Sequence, residues 1–199
     1  MDINKPLNFI FFGIAGSGKG TQVELLQNYI KNNNISNDIL YVYPGNEFRK
    51  LSSGDSYTGS YIKNIIEAGG LVPSFITDSL VTNMFTVNIK QDSVVITDGY
   101  PRTIEQSQTF EKLMNFYQRE NINVIYIEVS REEAIKRMKL RARNDDTDEG
   151  IAKRFDEYVN NVLPSMDYFK DKTGYNLFTI NGEQSIEDVH NEIITKLGL

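Results

Sequence analysis

Five short, nearly uniform apolar runs recur along the chain with helical spacing between them, and this alternation limits the possible fold more than any other feature. The runs are Leu7–Phe12, Asp38–Tyr43, Ser93–Thr97, Asn123–Val129 and Asn176–Ile180. Uniform rather than alternating apolar character marks strands covered on both faces, as in a mostly parallel sheet. Apolar spacing predicts helices over Gln22–Lys31, Ser60–Glu67, Pro73–Asn88, Thr103–Arg119, a segment opening at Ser130, Gly150–Lys170 and Ile186–Leu197. Thr103 with Gln106, Ser130 with Glu133, and Ser185 with Asp188 have the spacing of capping boxes or N-caps. The expected fold class is therefore α/β, a five-stranded mostly parallel sheet covered by helices. Two segments break the rhythm, 44–73 and 141–149. Both fall where loops of open α/β sheets collect ligands.

A chain of 199 residues can bury one substantial core and carry small inserts, so a single domain over 1–199 is expected. With no cysteine and one histidine, His190, disulfides, thiolate metal cages and multi-histidine centres are excluded. His190 itself reads as structural or solvated. A net charge of −6 argues against a nucleic-acid binder, which needs a basic face for the phosphate backbone. No apolar stretch approaches membrane-spanning length and no leader pattern stands at the start, so a cytoplasmic location and no membrane partner are expected.

The local chemistry concentrates first in Gly13-Ile14-Ala15-Gly16-Ser17-Gly18-Lys19-Gly20-Thr21, which follows the first strand and enters the first helix. Glycines let the backbone curl until several N–H groups face one anion, and the helix start adds donors of its own. Lys19 can neutralise charge on terminal phosphates. The usual lysine-to-Ser/Thr order is interrupted here by Gly20 before Thr21. The plain alternative, a glycine-rich turn without a ligand, fits the strand–loop–helix context poorly.

Further along, Asp98 ends the third strand, where a carboxylate can orient the water shell of a bound Mg²⁺ or simply cap a turn. Arg102 follows Gly99, Tyr100 and Pro101, and its planar fork suits an oxyanion unless it is only a solvated surface group. Gln106 can offer donor and acceptor to a base edge or serve the capping box, and one conformation does not fill both roles equally well. Arg137, Arg141, Arg143 and Arg154 surround a stretch too polar for core. Any one of them could be ordinary solvated helix charge, but together they suit a lid over phosphates.

Gly18-Lys19-Gly20-Thr21-Gln22, Asp98-Gly99-Tyr100-Pro101-Arg102, and the set Arg137, Arg141, Arg143, Asp145-Asp146 and Arg154 together resemble the adenylate kinase family in its short-lid form. The resemblance runs from about residue 7 to residue 190. It implies the P-loop nucleoside monophosphate kinase fold, with 44–73 as acceptor-nucleotide segment and 141–149 as lid. The implied reaction is reversible transfer of the terminal phosphoryl group of ATP to AMP, giving two ADP, with Mg²⁺ and no structural zinc, by a monomer. On the donor side it implies Gly16, Ser17, Gly18, Lys19, Gly20 and Thr21 around the phosphates, Arg137 on the base and Gln184 near it, with Asp98 reaching the metal through water. On the acceptor side it implies Pro44, Gly45, Arg49, Gly70, Leu71, Val72, Gly99, Tyr100, Pro101, Arg102, Gln106, Arg143 and Arg154. Lys19, Arg102, Arg141, Arg143 and Arg154 are the implied catalytic cations, while Asp145 and Asp146 pair with lid or hinge groups.

The acceptor segment departs from the family pattern. It reads Pro44-Gly45-Asn46-Glu47-Phe48-Arg49, with proline where a hydroxyl residue is usual and Asn46 in place of aspartate. The longer, Asn-rich turn before it and the Pro-Gly ending look a little like thymidylate kinases. UMP, CMP or dTMP as acceptor, and a non-catalytic nucleotide-binding protein, are the competing readings. Gln106 favours AMP.

Overall fold

The computed structural model describes residues 6–141 and 146–199. The described residues build a five-stranded, all-parallel sheet from β1 (Asn8–Phe12), β2 (Ile39–Val42), β3 (Val94–Asp98), β4 (Ile122–Glu128) and β5 (Tyr175–Asn181), in the order β2-β3-β1-β4-β5. Alternate residues of each strand feed opposite cores, which is why the runs read as uniformly apolar. On one face Phe9, Phe11, Val94, Ile96 and Ile125 pack against α1 (Lys19–Asn32) and α9 (Ile186–Leu197). On the other, Ile10, Phe12, Val95 and Val124 pack against α4 (Ser74–Asn88), α5 (Ile104–Phe116) and α8 (Leu163–Asp167). Among the described residues no helix is long and apolar enough to cross a membrane.

Phe110 is central to the second core, 1% exposed and edge-on to both Tyr100 and Phe169. Phe110→Ala is expected to cost about 3–5 kcal/mol, since the surrounding rings collapse only partly into the space. At about 2–4 °C per kcal/mol for a chain of this size, the thermal midpoint should fall by roughly 6–20 °C, readable by circular dichroism.

Three elements differ from the sequence reading. The stretch between β2 and the helix expected at Ser60 contains an unexpected α2 (Pro44–Ser53), and the expected helix is α3 (Tyr57–Glu67). Pro44 had looked like a terminator, but it occupies the first helical turn, where the missing N–H costs nothing. The expected long helix over 150–170 is divided into α7 (Asp148–Glu157), a π turn over Tyr158–Val162, and α8. Pro164 sits in the first turn of α8, and the wider turn before it accommodates the N–H it cannot donate. Finally, α5 ends at Phe116, and the chain turns through Gln118 at φ 52°. That turn buries Arg119, which donates to the carbonyls of Ser93 and Lys90 at 2.7 Å each.

Candidate active site

The C-terminal ends of β1 and β3 lie side by side, with Phe11 opposite Asp98, so the loop after β1 opens beside the carboxylate that ends β3. The chain leaves β1 toward β2 on one side of the sheet and leaves β3 toward β4 on the other. This divergence opens a crevice at the strand ends, the usual ligand position in such sheets. A continuous cleft of about 820 Å³ fills it.

One half of the cleft is lined by Gly13 through Gln22. Gly13, Gly16 and Gly18 have φ of 147°, 87° and 95°, values that favour glycine and let the loop wrap inward. Gly16 also passes so close to α6 (Arg131–Arg141) that a Cβ would lie 2.8 Å from the Ala134 carbonyl oxygen. Ile14, Ala134, Met138, Ile151 and Phe155 seal this junction into a small core of their own, tying the loop to the helices that carry the arginines. Lys19 Nζ folds over the loop, donating to the carbonyls of Gly13 at 2.7 Å and Ile14 at 2.9 Å. Asp98, 5% exposed, faces the same space and accepts a hydrogen bond from the Tyr41 hydroxyl at 3.3 Å. Burial and then the Asp98 charge push the Tyr41 phenol well above its ordinary pKa, so it stays a donor.

On the other half stand Tyr43, Gly45, Phe48, Arg49, Gly69, Gly70, Leu71, Val72, Gly99, Pro101, Arg102 and Gln106. Gly99, at φ 67°, makes room for Arg102, since a Cβ there would lie 2.7 Å from Arg102 Nη2. Arg102 Nε donates to the Gly99 carbonyl at 2.9 Å, which lays the guanidinium along the cleft floor. Gln106 is buried, and its backbone and side chain make separate contacts. Its backbone N–H goes to Thr103 Oγ1 at 3.2 Å as in a capping box, and its Oε1 accepts from the Arg102 N–H at 2.8 Å. Among the described residues its Nε2 makes no hydrogen bond.

The wall joining the halves carries Arg137, Arg141 and Arg154. Arg137 Nε bonds Glu133 at 2.7 Å. Asp146, whose side chain is 1% exposed, takes Arg141 through both carboxylate oxygens at 2.9 and 2.8 Å and also accepts from Arg154 Nη1. Such charge-assisted pairing fixes the direction of two forks that would otherwise repel each other. Arg154 and Asp98 both lie within electrostatic reach of Arg102. The turn at Gly69 touches this wall directly, since a Cβ on Gly69 would lie 2.5 Å from the Gly150 carbonyl oxygen. Arg143 and Asp145 lie outside the described residues.

Most sequence-predicted site residues line this cleft, but three need comment. Pro44 is buried at the start of α2 and does not line it; Tyr43 does. Tyr100 is also off the cleft, fully buried with its hydroxyl on Asp78 at 2.8 Å. Gln184 lines the cleft, with its amide committed to the Asn181 carbonyl and Glu192. His190 is partly buried edge-on to Tyr29, away from the cleft. The acid reaching back to Ser130 N–H is Glu183 at 2.8 Å, not Glu133, which is occupied by Arg137 and Lys136. Sequence reasoning missed Tyr43, Phe48, Tyr158 and Ile186 as lining residues. For Tyr43 a signal existed, because it is the first residue past a strand ending beside Asp98.

A parallel sheet with this strand–loop–helix cradle and facing arginines defines a P-loop nucleoside monophosphate kinase. The sequence matches the family model described as adenylate kinase over residues 11–174. It is 34% identical to an adenylate kinase of Prochlorococcus marinus (strain MIT 9515) over 192 residues, covering 96% of this chain and 98% of that one. An adenylate kinase of Oenococcus oeni is 31% identical over 180 residues, covering 90% of this chain and 92% of the relative. The chain belongs to the adenylate kinase family.

Proposed function

We propose that this chain is an adenylate kinase whose two nucleotides lie end to end in the one cleft, ATP on the Gly13–Thr21 cradle and AMP on the Arg102–Gln106 side. The observation that carries this reading is the continuity of the cleft. The glycine loop, Asp98, Arg102, Gln106 and the arginines of α6 and α7 all line one space.

In this reading the N–H groups of Gly16 through Thr21 and the Lys19 ammonium hold the donor phosphates, and Arg137 and Gln184 border the donor base. Arg49 and Arg102 hold the acceptor phosphate. Gln106 Nε2 and the backbone of Gly70, Leu71 and Val72 border the acceptor base. Its Oε1 has a second lone pair beyond the one used by Arg102 N–H, so one amide can both orient the arginine and read a purine edge. Arg141 and Arg154, with Arg143, bring charge to the transferring group, and Asp146 aims two of them. The acceptor phosphate is already an anion, so no general base is needed. Segment 44–73 serves as acceptor lobe and 141–149 as lid, closing to exclude water before transfer.

The buried oxygen of Asp98 beside Gly20 suits a magnesium ion held chiefly by nucleotide phosphates, reached through its water shell. The ion supplies charge neutralisation on the donor phosphates when bound. No cluster of three or more histidine or acidic residues that could hold a metal occurs among the described residues, and the chain has no cysteine for a zinc cage. One chain supplies both halves of the cleft, which supports a monomer as the working unit, and a cytoplasmic location goes with that reading.

A coupled phosphotransfer assay with ATP–Mg²⁺ against AMP, dAMP, CMP, UMP, GMP and dTMP tests this reading. AMP should lead, with the pyrimidine nucleotides at least about 10-fold lower in kcat/KM, the effect of a lost polar contact at a base edge. A preference for CMP, UMP or dTMP would move the assignment to another kinase of the same fold.

A further inference from the structure

We propose that Tyr43 is a substrate-contacting residue of the acceptor half: its phenol hydroxyl donates to the phosphate of the incoming nucleoside monophosphate, while its ring holds Arg49 beside that phosphate. The inference rests on the reading of this half of the cleft as the acceptor site.

Tyr43 is the first residue beyond β2, and the pairing of Val42 with Thr97 sets it level with Asp98 at the mouth of the cleft. Its ring is fixed by named neighbours. Tyr41 stacks on it with centroids 6.0 Å apart and planes 18° apart, and Tyr41 is itself anchored on Asp98. The Arg49 guanidinium carbon lies 5.2 Å from the Tyr43 ring centroid, within range of a cation–π attraction. Gly45 supplies the floor, since a Cβ there would lie 2.8 Å from ring atoms Cε2 and Cζ and 3.0 Å from the hydroxyl oxygen. The glycine is required here by the tyrosine, not by an unusual backbone angle.

The hydroxyl so positioned is uncommitted. The neighbouring phenols have partners: Tyr41 on Asp98, Tyr100 on Asp78, Tyr158 on Tyr126. Among the described residues the Tyr43 hydroxyl makes no hydrogen bond, although it lines the cleft with Arg49 and Arg102 and lies within electrostatic reach of Arg102. A phenol that lines a cleft with Arg49 and Arg102 is suited to one task, a neutral donor to an anion that both cations attract. It adds a hydrogen bond without adding a third repelling charge. Pro44, which follows, has no N–H to offer and does not line the cleft, whereas the Tyr43 side chain brings a donor there.

Tyr43→Phe keeps the ring, and with it the Arg49 and Gly45 contacts, and removes only the hydroxyl. Calorimetric titration of wild type and variant with AMP, adenosine and ATP–Mg²⁺, beside steady-state kinetics, tests the proposal. AMP affinity should weaken about 10-fold or more, the scale of a hydrogen bond to a charged group, with KM for AMP rising in parallel. Adenosine and ATP should bind as in wild type, and the thermal midpoint should not move. Gly45→Ala, which displaces the ring, should weaken AMP binding at least as much. Undiminished AMP affinity in Tyr43→Phe overturns the proposal, as does an equal loss for adenosine, which carries no phosphate. Failure of the wild-type protein to bind AMP would instead overturn the assignment of the acceptor site.

Discussion

Lys19→Ala is expected to lower turnover by more than about 100-fold, roughly 2.7 kcal/mol of transition-state stabilisation, with a thermal midpoint close to wild type. The lysine is the cation of the glycine cradle and already points across it, donating to the carbonyls of Gly13 and Ile14. Those two contacts hold the ammonium over the loop. With phosphates bound, the ammonium can follow charge from the ground state to the transition state, which a fixed N–H cannot do. The loop's own shape rests on glycine φ values and on the Ile14–Ala134–Met138 packing, neither of which depends on Lys19. Loss of activity and retention of fold should therefore separate cleanly. Stopped-time phosphotransfer assays and thermal melts on the purified variant read both. Near-normal turnover would sink the role assigned to the loop.

Arg102→Ala should cost a similar factor, more than about 100-fold in kcat/KM for AMP, and Arg102→Lys should recover little of it. Arg102 is held through its backbone as well as its guanidinium. Its Nε sits on the Gly99 carbonyl, its backbone N–H on Gln106 Oε1, and its plane against the surface Gly99 leaves open. A lysine ammonium could restore the charge, but it has no fork to use while one nitrogen stays on Gly99. The contrast matters because a purely structural arginine would show its loss in the melting temperature. Here the loss should appear in the kinetics with AMP and scarcely in the KM for ATP. A lysine variant with wild-type kinetics would show that charge alone suffices and that the bidentate geometry is irrelevant.

Much of this site was legible because its parts stand at strand ends. The apolar runs ending at Phe12 and Asp98 are buried on both faces, so their boundaries are sharp, and the register between β1 and β3 brings Gly13 and Asp98 together. The arginines of α6 and α7 were visible as a polar interruption, and their convergence on Asp146 follows from the short chain between them. What was not legible depends on contacts distant in sequence. Helix α2 was hidden because Pro44-Gly45 usually ends structure, whereas here proline begins a helix and the glycine clears space for a ring. The π turn at Tyr158–Val162 accommodates Pro164 within an otherwise unbroken helical pattern. Gln106 looked like a choice between capping and recognition. The structure shows the backbone N–H on Thr103, as a capping residue requires, and the side-chain oxygen on the Arg102 N–H, a contact the sequence did not suggest. Tyr43 was read as strand because its ring, two residues from Tyr41, continues the apolar run. That the ring lines the cleft, packed with Tyr41, Gly45 and Arg49, is not readable from the run itself.

Two adenosines joined through five phosphates offer a direct probe of whether one space accepts both nucleotides at once. In a calorimetric titration this bridging compound should bind once per chain, far more tightly than ATP or AMP alone, and be displaced by either nucleotide. Two molecules per chain, or competition with ATP but not with AMP, would contradict a shared phosphate path from Lys19 to Arg102.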